Sequence, residues 1–262
     1  MSRRKVYVTR RIPKPGLEAI QDVAEVDVWP DELPPPYDVL MDKVVGLDGL
    51  LCLLTDRIDS ALMDAAGDSL KVISQMAVGY DNIDLMAATE RGIPVGHTPG
   101  VLTDATADFT WALLMAAARR IVEADRYTRE GRWKTWGPML LLGQDIAGAT
   151  LGIVGLGRIG QAVAKRAQGF GMRLIYHDIR RWPDAEDSLG IEFREFNNLL
   201  KESDFVSIHT WLSEDTYHLF SQEEFQLMKH SAILINSARG PIVDPDALYQ
   251  ALNDGEIAYA AI

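Results

Sequence analysis

Short apolar runs recur along the chain and alternate with longer stretches in which apolar residues follow a helical period. This alternation is typical of parallel strands joined by helices, because a strand covered on both faces is apolar throughout. In the first part of the chain it predicts strands at 5–9, 26–29, 49–54, 71–75 and 93–95, and helices at 17–23, 37–43 and 60–66. We therefore expect a parallel α/β unit with its own core.

The same alternation returns in the second part of the chain. Apolar runs there predict strands at 151–154, 173–177, 205–209, 232–236 and 258–262, with helices between them. Between the two parts, the Thr-Pro-Gly turn at 98–100 is typical of a hinge. We accordingly expect two domains, 1–100 and 101–262.

A long apolar stretch follows the hinge. It predicts one helix over 104–130, with Thr103 or Asp104 as its N-cap and a polar part that begins at Arg119. Ala, Leu and Met cover most of its faces, so we expect it to be buried against both domains. The connection at 131–143 is aromatic and apolar, and such a surface favours association. We expect the region 104–143 to form the interface of a two-fold homodimer.

Composition and charge narrow the class of protein. The 262 residues are 47% hydrophobic, which can fill real cores, and their net charge of -12 argues against a broad nucleic-acid or anionic-membrane surface. Cys52, the single cysteine, lies in an apolar run, where we expect a buried and inert thiol. No disulfide framework, apolar membrane span or metal-ligand cluster is evident. We expect a cytoplasmic protein.

Three spaced glycines carry the strongest chemical signal. Gly155, Gly157 and Gly160 follow an apolar run and open a helical pattern. In a pyrophosphate cradle the first glycine allows a tight turn, the second lets the backbone approach a phosphate, and the third lets the helix pack closely. Asp178 ends the next strand, where an acidic residue accepts hydrogen bonds from the adenosine ribose. The alternative is a purely structural strand-turn-helix.

A second candidate site follows the strand at 232–236. Arg239 would lie at the carboxyl edge of the sheet, where a guanidinium can grip a carboxylate and polarise a neighbouring carbonyl. The alternative is a surface arginine paired with Asp244. The loop 77–84 also follows a strand at its carboxyl end, so its backbone is placed to bind a ligand.

The segments 77–84, 98–108, 152–160 and 236–244 together resemble the D-isomer-specific 2-hydroxyacid dehydrogenase family, and especially its glyoxylate and hydroxypyruvate reductases. The resemblance runs along essentially the whole chain. It implies a Rossmann-type doubly wound parallel sheet plus a flavodoxin-like substrate domain. It also implies NAD(P)H-dependent reduction of a small 2-oxo acid, glyoxylate or hydroxypyruvate, to the 2-hydroxy acid.

The resemblance further implies roles for particular residues. The backbone N–H groups of Val78 and Gly79 would bind the substrate carboxylate, and Arg239 would be the catalytic arginine. Trp136 resembles a position on an arm that reaches the partner subunit's active site, although a plain interface anchor is an equal alternative. Contacts with the dinucleotide would come from Thr106, Gly155, Gly157, Arg158, Ile159, Gly160, Asp178, Ser237, Ala238 and Arg239.

The general acid of this family is a histidine oriented by a glutamate. Both belong to motifs downstream of the strand at 258–262, where this chain ends. None of the histidines present has that context: His97, His177, His209, His218 and His230. We therefore expect a truncated product or fragment that lacks the return helix of its substrate domain and has weak or no turnover. A corepressor-like dinucleotide-binding protein, or a dehydrogenase for another acid such as 3-phosphoglycerate or phosphite, are the alternatives.

Cofactor preference can be argued from charge. The Asp178 carboxylate would repel the 2′-phosphate of NADP(H), which favours NAD(H). Arg180 and Arg181 follow closely and could offset that repulsion, so NADP(H) is the alternative cofactor.

Overall fold

The computed structural model describes residues 3–262. The chain divides into two compact units, one extending to Val101 and the other beginning at Leu102. Each unit has a parallel sheet and a hydrophobic core of its own. The α/β class expected from the apolar runs is confirmed.

The first unit alternates strands and helices from its start. Its strands are β1 (Arg4–Val8), β2 (Ala24–Val28), β3 (Gly49–Cys52), β4 (Val72–Gln75) and β5 (Val95–Gly96). Its α-helices are α1 (Lys14–Gln21), α2 (Tyr37–Lys43), α3 (Ser60–Ala66) and α4 (Leu85–Glu90). All pairs are parallel, in the order β2-β1-β3-β4-β5. This is the flavodoxin-type order, which places ligands at the carboxyl ends of the strands.

The second unit has a larger sheet. Its strands are β6 (Thr150–Val154), β7 (Arg173–His177), β8 (Glu192–Phe193), β9 (Phe205–Ile208), β10 (Ile233–Asn236) and β11 (Tyr259–Ala261). Its α-helices are α5 (Thr103–Ala118), α6 (Ile121–Arg129), α7 (Arg158–Ala167), α8 (Pro183–Leu189), α9 (Phe196–Glu202), α10 (Gln222–Leu227) and α11 (Pro245–Asp254). The order β11-β10-β9-β6-β7-β8 is that of a Rossmann fold. The strand order reverses between β6 and β9, and that reversal is where such sheets bind dinucleotides.

The single helix expected over 104–130 is wrong. The helix breaks at Arg120, which has a left-handed backbone conformation with φ of 51° and lies between α5 and α6. The Ala118 carbonyl accepts a hydrogen bond from the Gln144 N–H at 2.8 Å, so the connection after α6 returns to the end of α5. Gly143 allows this approach, since a Cβ there would lie 2.3 Å from the Ala118 oxygen.

Two smaller expectations are also corrected. The N-cap of α5 is Leu102, without a side-chain hydrogen bond, so neither Thr103 nor Asp104 caps the helix. Asp104 instead pairs with Arg166 of α7 at 3.1 Å. The sequence does not predict β8, which pairs with β7, because a strand of two residues is too short to show the alternation of apolar and polar positions.

Buried side chains fill each core as the apolar runs predict. Cys52 is fully buried in the first unit, as expected, and burial raises the pKa of its thiol to about 12. In the second unit, Trp111 of α5 donates a hydrogen bond to the Val163 carbonyl and stacks on Phe170. No helix among residues 3–262 is long and apolar enough to cross a membrane. The same residues contain no cluster of potential metal ligands.

Candidate active site

The glycine turn lies at the reversal of strand order in the second unit. Gly155 has φ of 92°, and a Cβ there would come within 2.7 to 2.8 Å of the backbone of His209 and Thr210, which follow β9. A Cβ at Gly160 would lie 2.2 Å from the Gly155 oxygen. Both glycines are therefore required by the close packing of β6, β9 and α7.

Gly157 differs from its two neighbours in the turn. A Cβ there would meet nothing within 4 Å, and its φ of -70° is accessible to every residue. Packing within the unit gives no reason for a glycine at this position. Open space in front of the amino end of α7 fits a ligand that approaches the backbone closely, as a pyrophosphate does.

Asp178 is fixed beside the glycine turn. Its Oδ2 accepts hydrogen bonds from the Leu156 N–H at 2.8 Å and from the Trp182 indole N–H at 3.0 Å. The glycine spacing predicts neither donor, although the sequence places a tryptophan four residues after Asp178. These two bonds hold the half-buried carboxylate at the carboxyl end of β7, where the ribose of a dinucleotide would lie.

The two arginines that follow Asp178 have different surroundings. Arg181 forms an ion pair with Glu186, and this guanidinium lowers the pKa of the Glu186 carboxyl. Arg180 lies over the Trp182 ring, with 3.8 Å between the guanidinium carbon and the ring centre. The charge of Arg181 is therefore already balanced by Glu186. Arg180 forms no ion pair with any described residue, and it is the cation of this kind closest in sequence to Asp178.

The turn after β10 is held by Asn236. Its side-chain oxygen accepts a hydrogen bond from the Ala238 N–H at 3.0 Å, and its amide nitrogen donates to the Arg239 carbonyl at 2.9 Å. Because Asn236 is buried at the end of the strand, these bonds fix the backbone from which Arg239 projects. Asn236 is not among the site residues predicted from the sequence, although an asparagine that ends a buried strand is a signal for such a role.

A hydroxyl contact joins α5 to the same turn. Ser237 Oγ and Thr110 Oγ1 are 2.7 Å apart, and Thr110 donates to the Thr106 carbonyl at 2.8 Å. Thr106 and Ser237, both expected to contact the dinucleotide, thus lie at the same part of the second unit. The glycine turn follows the carboxyl end of β6, and the Arg239 turn follows the carboxyl end of β10.

Asp244, the partner of Arg239 in the alternative interpretation, makes other contacts. One of its oxygens caps α11 by accepting from the Asp246 and Ala247 N–H groups, and the other lies 3.3 Å from His218 Nδ1. A pocket of about 720 Å³ borders the turn and includes Arg239 and His218 in its lining. Mostly apolar residues complete that lining.

In the first unit, the loop after β4 holds Val78 and Gly79. Gln75, fully buried at the end of β4, donates hydrogen bonds to the Gly79 carbonyl at 3.2 Å and to Asn82 at 2.7 Å. His97 Nδ1 lies 2.9 Å from the Val78 carbonyl. Within the part of the chain that the structure describes, the N–H groups of Val78 and Gly79 have no acceptor.

The segment 131–143 contains no helix or strand and exposes large apolar side chains. Trp136 and Met139 are 77% and 78% exposed, and Trp133 and Leu142 are more than half exposed. Trp136 therefore lies at the surface of the second unit and contributes nothing to its core.

The remaining histidines have structural surroundings. His209 follows β9 and bonds Ser207 Oγ at 2.8 Å, and burial lowers its pKa to about 4. His177 and His230 each place Nδ1 at 3.0 Å from a backbone carbonyl, those of Arg194 and Gly255. We find no feature at these three positions that suits a general acid at neutral pH.

A Rossmann strand order, a glycine turn at its reversal point and a fixed carboxylate after the second strand define a dinucleotide-binding α/β protein. Residues 111–262 match the sequence model of the D-isomer specific 2-hydroxyacid dehydrogenase NAD binding domain. The chain belongs to the D-isomer specific 2-hydroxyacid dehydrogenase family and is an oxidoreductase with an NAD-binding domain.

Similar proteins cover nearly the whole chain. A glyoxylate reductase of Korarchaeum cryptofilum is 55% identical over 259 residues, which are 98% of this chain and 78% of that protein. A glyoxylate reductase of Thermococcus litoralis is 53% identical over 262 residues, covering 98% and 79%. The crystal structure of the TT0316 protein from Thermus thermophilus superposes with a TM-score of 0.90 at 50% identity, covering 98% of this chain and 80% of that one.

Proposed function

We propose that the protein reduces a small 2-oxo acid to the 2-hydroxy acid with NADH, and that glyoxylate or hydroxypyruvate is the substrate. The observation that carries the proposal is the fixed turn of Arg239 at the carboxyl edge of the sheet that also holds the glycine turn. The names of the similar glyoxylate reductases support the choice of acid.

We assign the unit that extends to Val101 to the substrate and the unit that begins at Leu102 to the dinucleotide. The N–H groups of Val78 and Gly79 bind the substrate carboxylate, for which they have no competing acceptor. The Arg239 guanidinium binds the carboxylate as well and polarises the keto group, because its positive charge favours the alkoxide that develops as the carbonyl is reduced. When bound, NADH would supply the hydride to the keto carbon, and the resulting alkoxide would take its proton from solvent.

The dinucleotide fits the residues at the glycine turn. The pyrophosphate would lie against Gly157 and the amino end of α7, in contact with Arg158, Ile159 and Gly160. Ser237 and Ala238 would lie beside the nicotinamide, and Thr106 would also contact the dinucleotide. NADH is preferred to NADPH, because the Asp178 carboxylate repels a 2′-phosphate, the charge of Arg181 is already balanced by Glu186, and the Arg180 guanidinium is held over the Trp182 ring.

The chain further associates as a homodimer through the region 104–143. Large exposed side chains between Trp133 and Leu142 support this proposal. A tryptophan buried at a subunit interface is a common anchor of association. Trp136 serves there either as an interface anchor or as an arm to the partner's site.

Steady-state oxidation of NADH tests the proposed reaction. The assay compares glyoxylate, hydroxypyruvate and the 2-oxo acid formed from 3-phosphoglycerate. We expect Arg239→Ala to lower kcat/KM for glyoxylate by at least about a hundredfold, since a charged donor to the developing oxyanion is lost. Arg173→Ala, at the opposite edge of the same sheet, is the matched control and should retain the wild-type rate.

Two results would oppose the proposal. Equal loss in the two arginine variants would mean that Arg239 has no special role. Tight NADH binding without turnover of any of the three acids would favour a dinucleotide-binding role instead.

A further inference from the structure

The loop at 77–82 is fixed by hydrogen bonds to three successive backbone carbonyls, and we name this segment the β4 loop. The Ala77 carbonyl accepts from the Thr98 N–H at 2.9 Å. The Val78 carbonyl contacts His97 Nδ1 at 2.9 Å, and the Gly79 carbonyl accepts from the Gln75 amide at 3.2 Å. Each of these three consecutive peptide groups is therefore held at its carbonyl.

These contacts determine where the N–H groups point. In a trans peptide the C=O and N–H of one group point in opposite directions within one plane, and the described chain has no cis bond. The carbonyl of Val78 and the N–H of Gly79 belong to the same peptide group. A donor that fixes the Val78 carbonyl therefore fixes the Gly79 N–H, and the Thr98 contact fixes the Val78 N–H in the same way.

From this geometry we infer that His97 is a positioning residue for substrate binding, acting by holding the Val78–Gly79 peptide so that its N–H faces the substrate carboxylate. The inference rests on the proposed function, in which Val78 and Gly79 bind that carboxylate. His97 Nδ1 carries the proton in this role, since the Val78 carbonyl can only accept. A donor on the carbonyl also polarises the peptide, which strengthens the N–H as a donor on its other side.

The surroundings of His97 favour this role over a structural one. Its side chain is exposed, so it fills no part of the core. The rings of Tyr80 and His97 form a T-shaped pair with their centroids 5.3 Å apart, and this contact restricts rotation of the imidazole. The imidazole makes its hydrogen bond to the Val78 carbonyl, and this bond holds the β4 loop.

Gln75 holds the next peptide group of the β4 loop, the one that contains the Gly79 carbonyl. Its oxygen accepts from the Cys52 thiol at 3.1 Å, which leaves its NH₂ group directed at Asn82 and Gly79. Asn82 in turn donates to the Leu53 and Asp56 carbonyls at 3.0 and 2.8 Å. Because burial keeps the Cys52 thiol protonated, the orientation of the Gln75 amide is set from inside the core.

The test compares His97→Leu with His97→Asn. Leucine has a similar size and no donor, whereas the asparagine NH₂ group occupies nearly the place of Nδ1 and can still donate to Val78. The readouts are the Kd of oxamate, a 2-oxo acid analogue, for the NADH complex and the KM and kcat for glyoxylate. Thermal unfolding and the Kd of NADH serve as controls for folding.

We expect His97→Leu to weaken oxamate binding about five- to tenfold, the range of one well-placed hydrogen bond. The KM for glyoxylate should rise in parallel while kcat changes less, and His97→Asn should restore both values. Wild-type affinity in His97→Leu would overturn the inference and leave the proposed function intact. A wild-type NADH complex that neither binds oxamate nor reduces glyoxylate would overturn the proposed function and the inference with it.

Discussion

Asp56 of the first unit makes buried contacts that its position in the sequence does not reveal. Asp56 is buried, and its carboxylate accepts hydrogen bonds from the Thr9 hydroxyl and the Leu53 N–H, the latter at 2.7 Å. Its other oxygen lies 3.3 Å from the buried guanidinium of Arg10. These contacts tie the segment after β1 to the segment after β3, beneath the β4 loop.

Replacing Asp56 by alanine should lower the free energy of unfolding by about 3 kcal/mol, because the Arg10 charge would remain buried without its carboxylate. The matched control is Asp64→Ala, which removes the exposed partner of Arg91 and should cost less than about 1 kcal/mol. Urea unfolding measures both values. Equal losses in the two variants would contradict the role given to Asp56.

At this scale the sequence predicts the chemistry of isolated residues better than their partners. Gly155, Gly157, Gly160 and Asp178 could be singled out because their spacing along the chain is itself the signal. The contacts of Gln75 and His97 could not be foreseen, because they depend on the conformation of the β4 loop. The type of a residue does not show which backbone carbonyl its side chain will bind.

At the scale of helices and strands, the apolar runs predict every strand except β8 to within two residues, and among the helices they predict the bounds of α2 and α3. They fail where a distant contact decides the outcome. The run through Ala118 continues in helix-forming residues, yet the helix stops because the connection near Gly143 returns to the Ala118 carbonyl. No local period contains that information, since the two segments are far apart in sequence.

Strand order is likewise a property of the whole sheet. The alternation of strands and helices predicts parallel pairing, because a helix crossover brings the next strand back in the same direction. It does not say which strands are neighbours. The family resemblance implies the Rossmann order, and the pairing of β6 with both β7 and β9 confirms it.

At the scale of the molecule, association is the property that the exposed surface predicts. Light scattering should give twice the mass of the 262-residue chain at micromolar concentration, since the apolar side chains of 131–143 would be covered in a dimer. Trp136→Ser combined with Met139→Ser should shift the mass toward the monomer. The paired substitution Val23→Ser and Leu33→Ser, at exposed positions of the other unit, is the control. A wild-type protein of monomer mass would refute the dimer.

Gly157 decides whether the glycine turn of the second unit binds the dinucleotide. A methyl group there meets nothing within 4 Å, so Gly157→Ala should unfold at the wild-type temperature. It should nevertheless weaken NADH binding by at least about tenfold, because the Cβ would occupy space that the pyrophosphate needs. Gly169→Ala, also in open space and at an allowed φ, is the matched control. A titration of NADH fluorescence should show a loss of affinity in Gly157→Ala alone, and wild-type affinity in that variant would mean that the pyrophosphate does not lie against this turn.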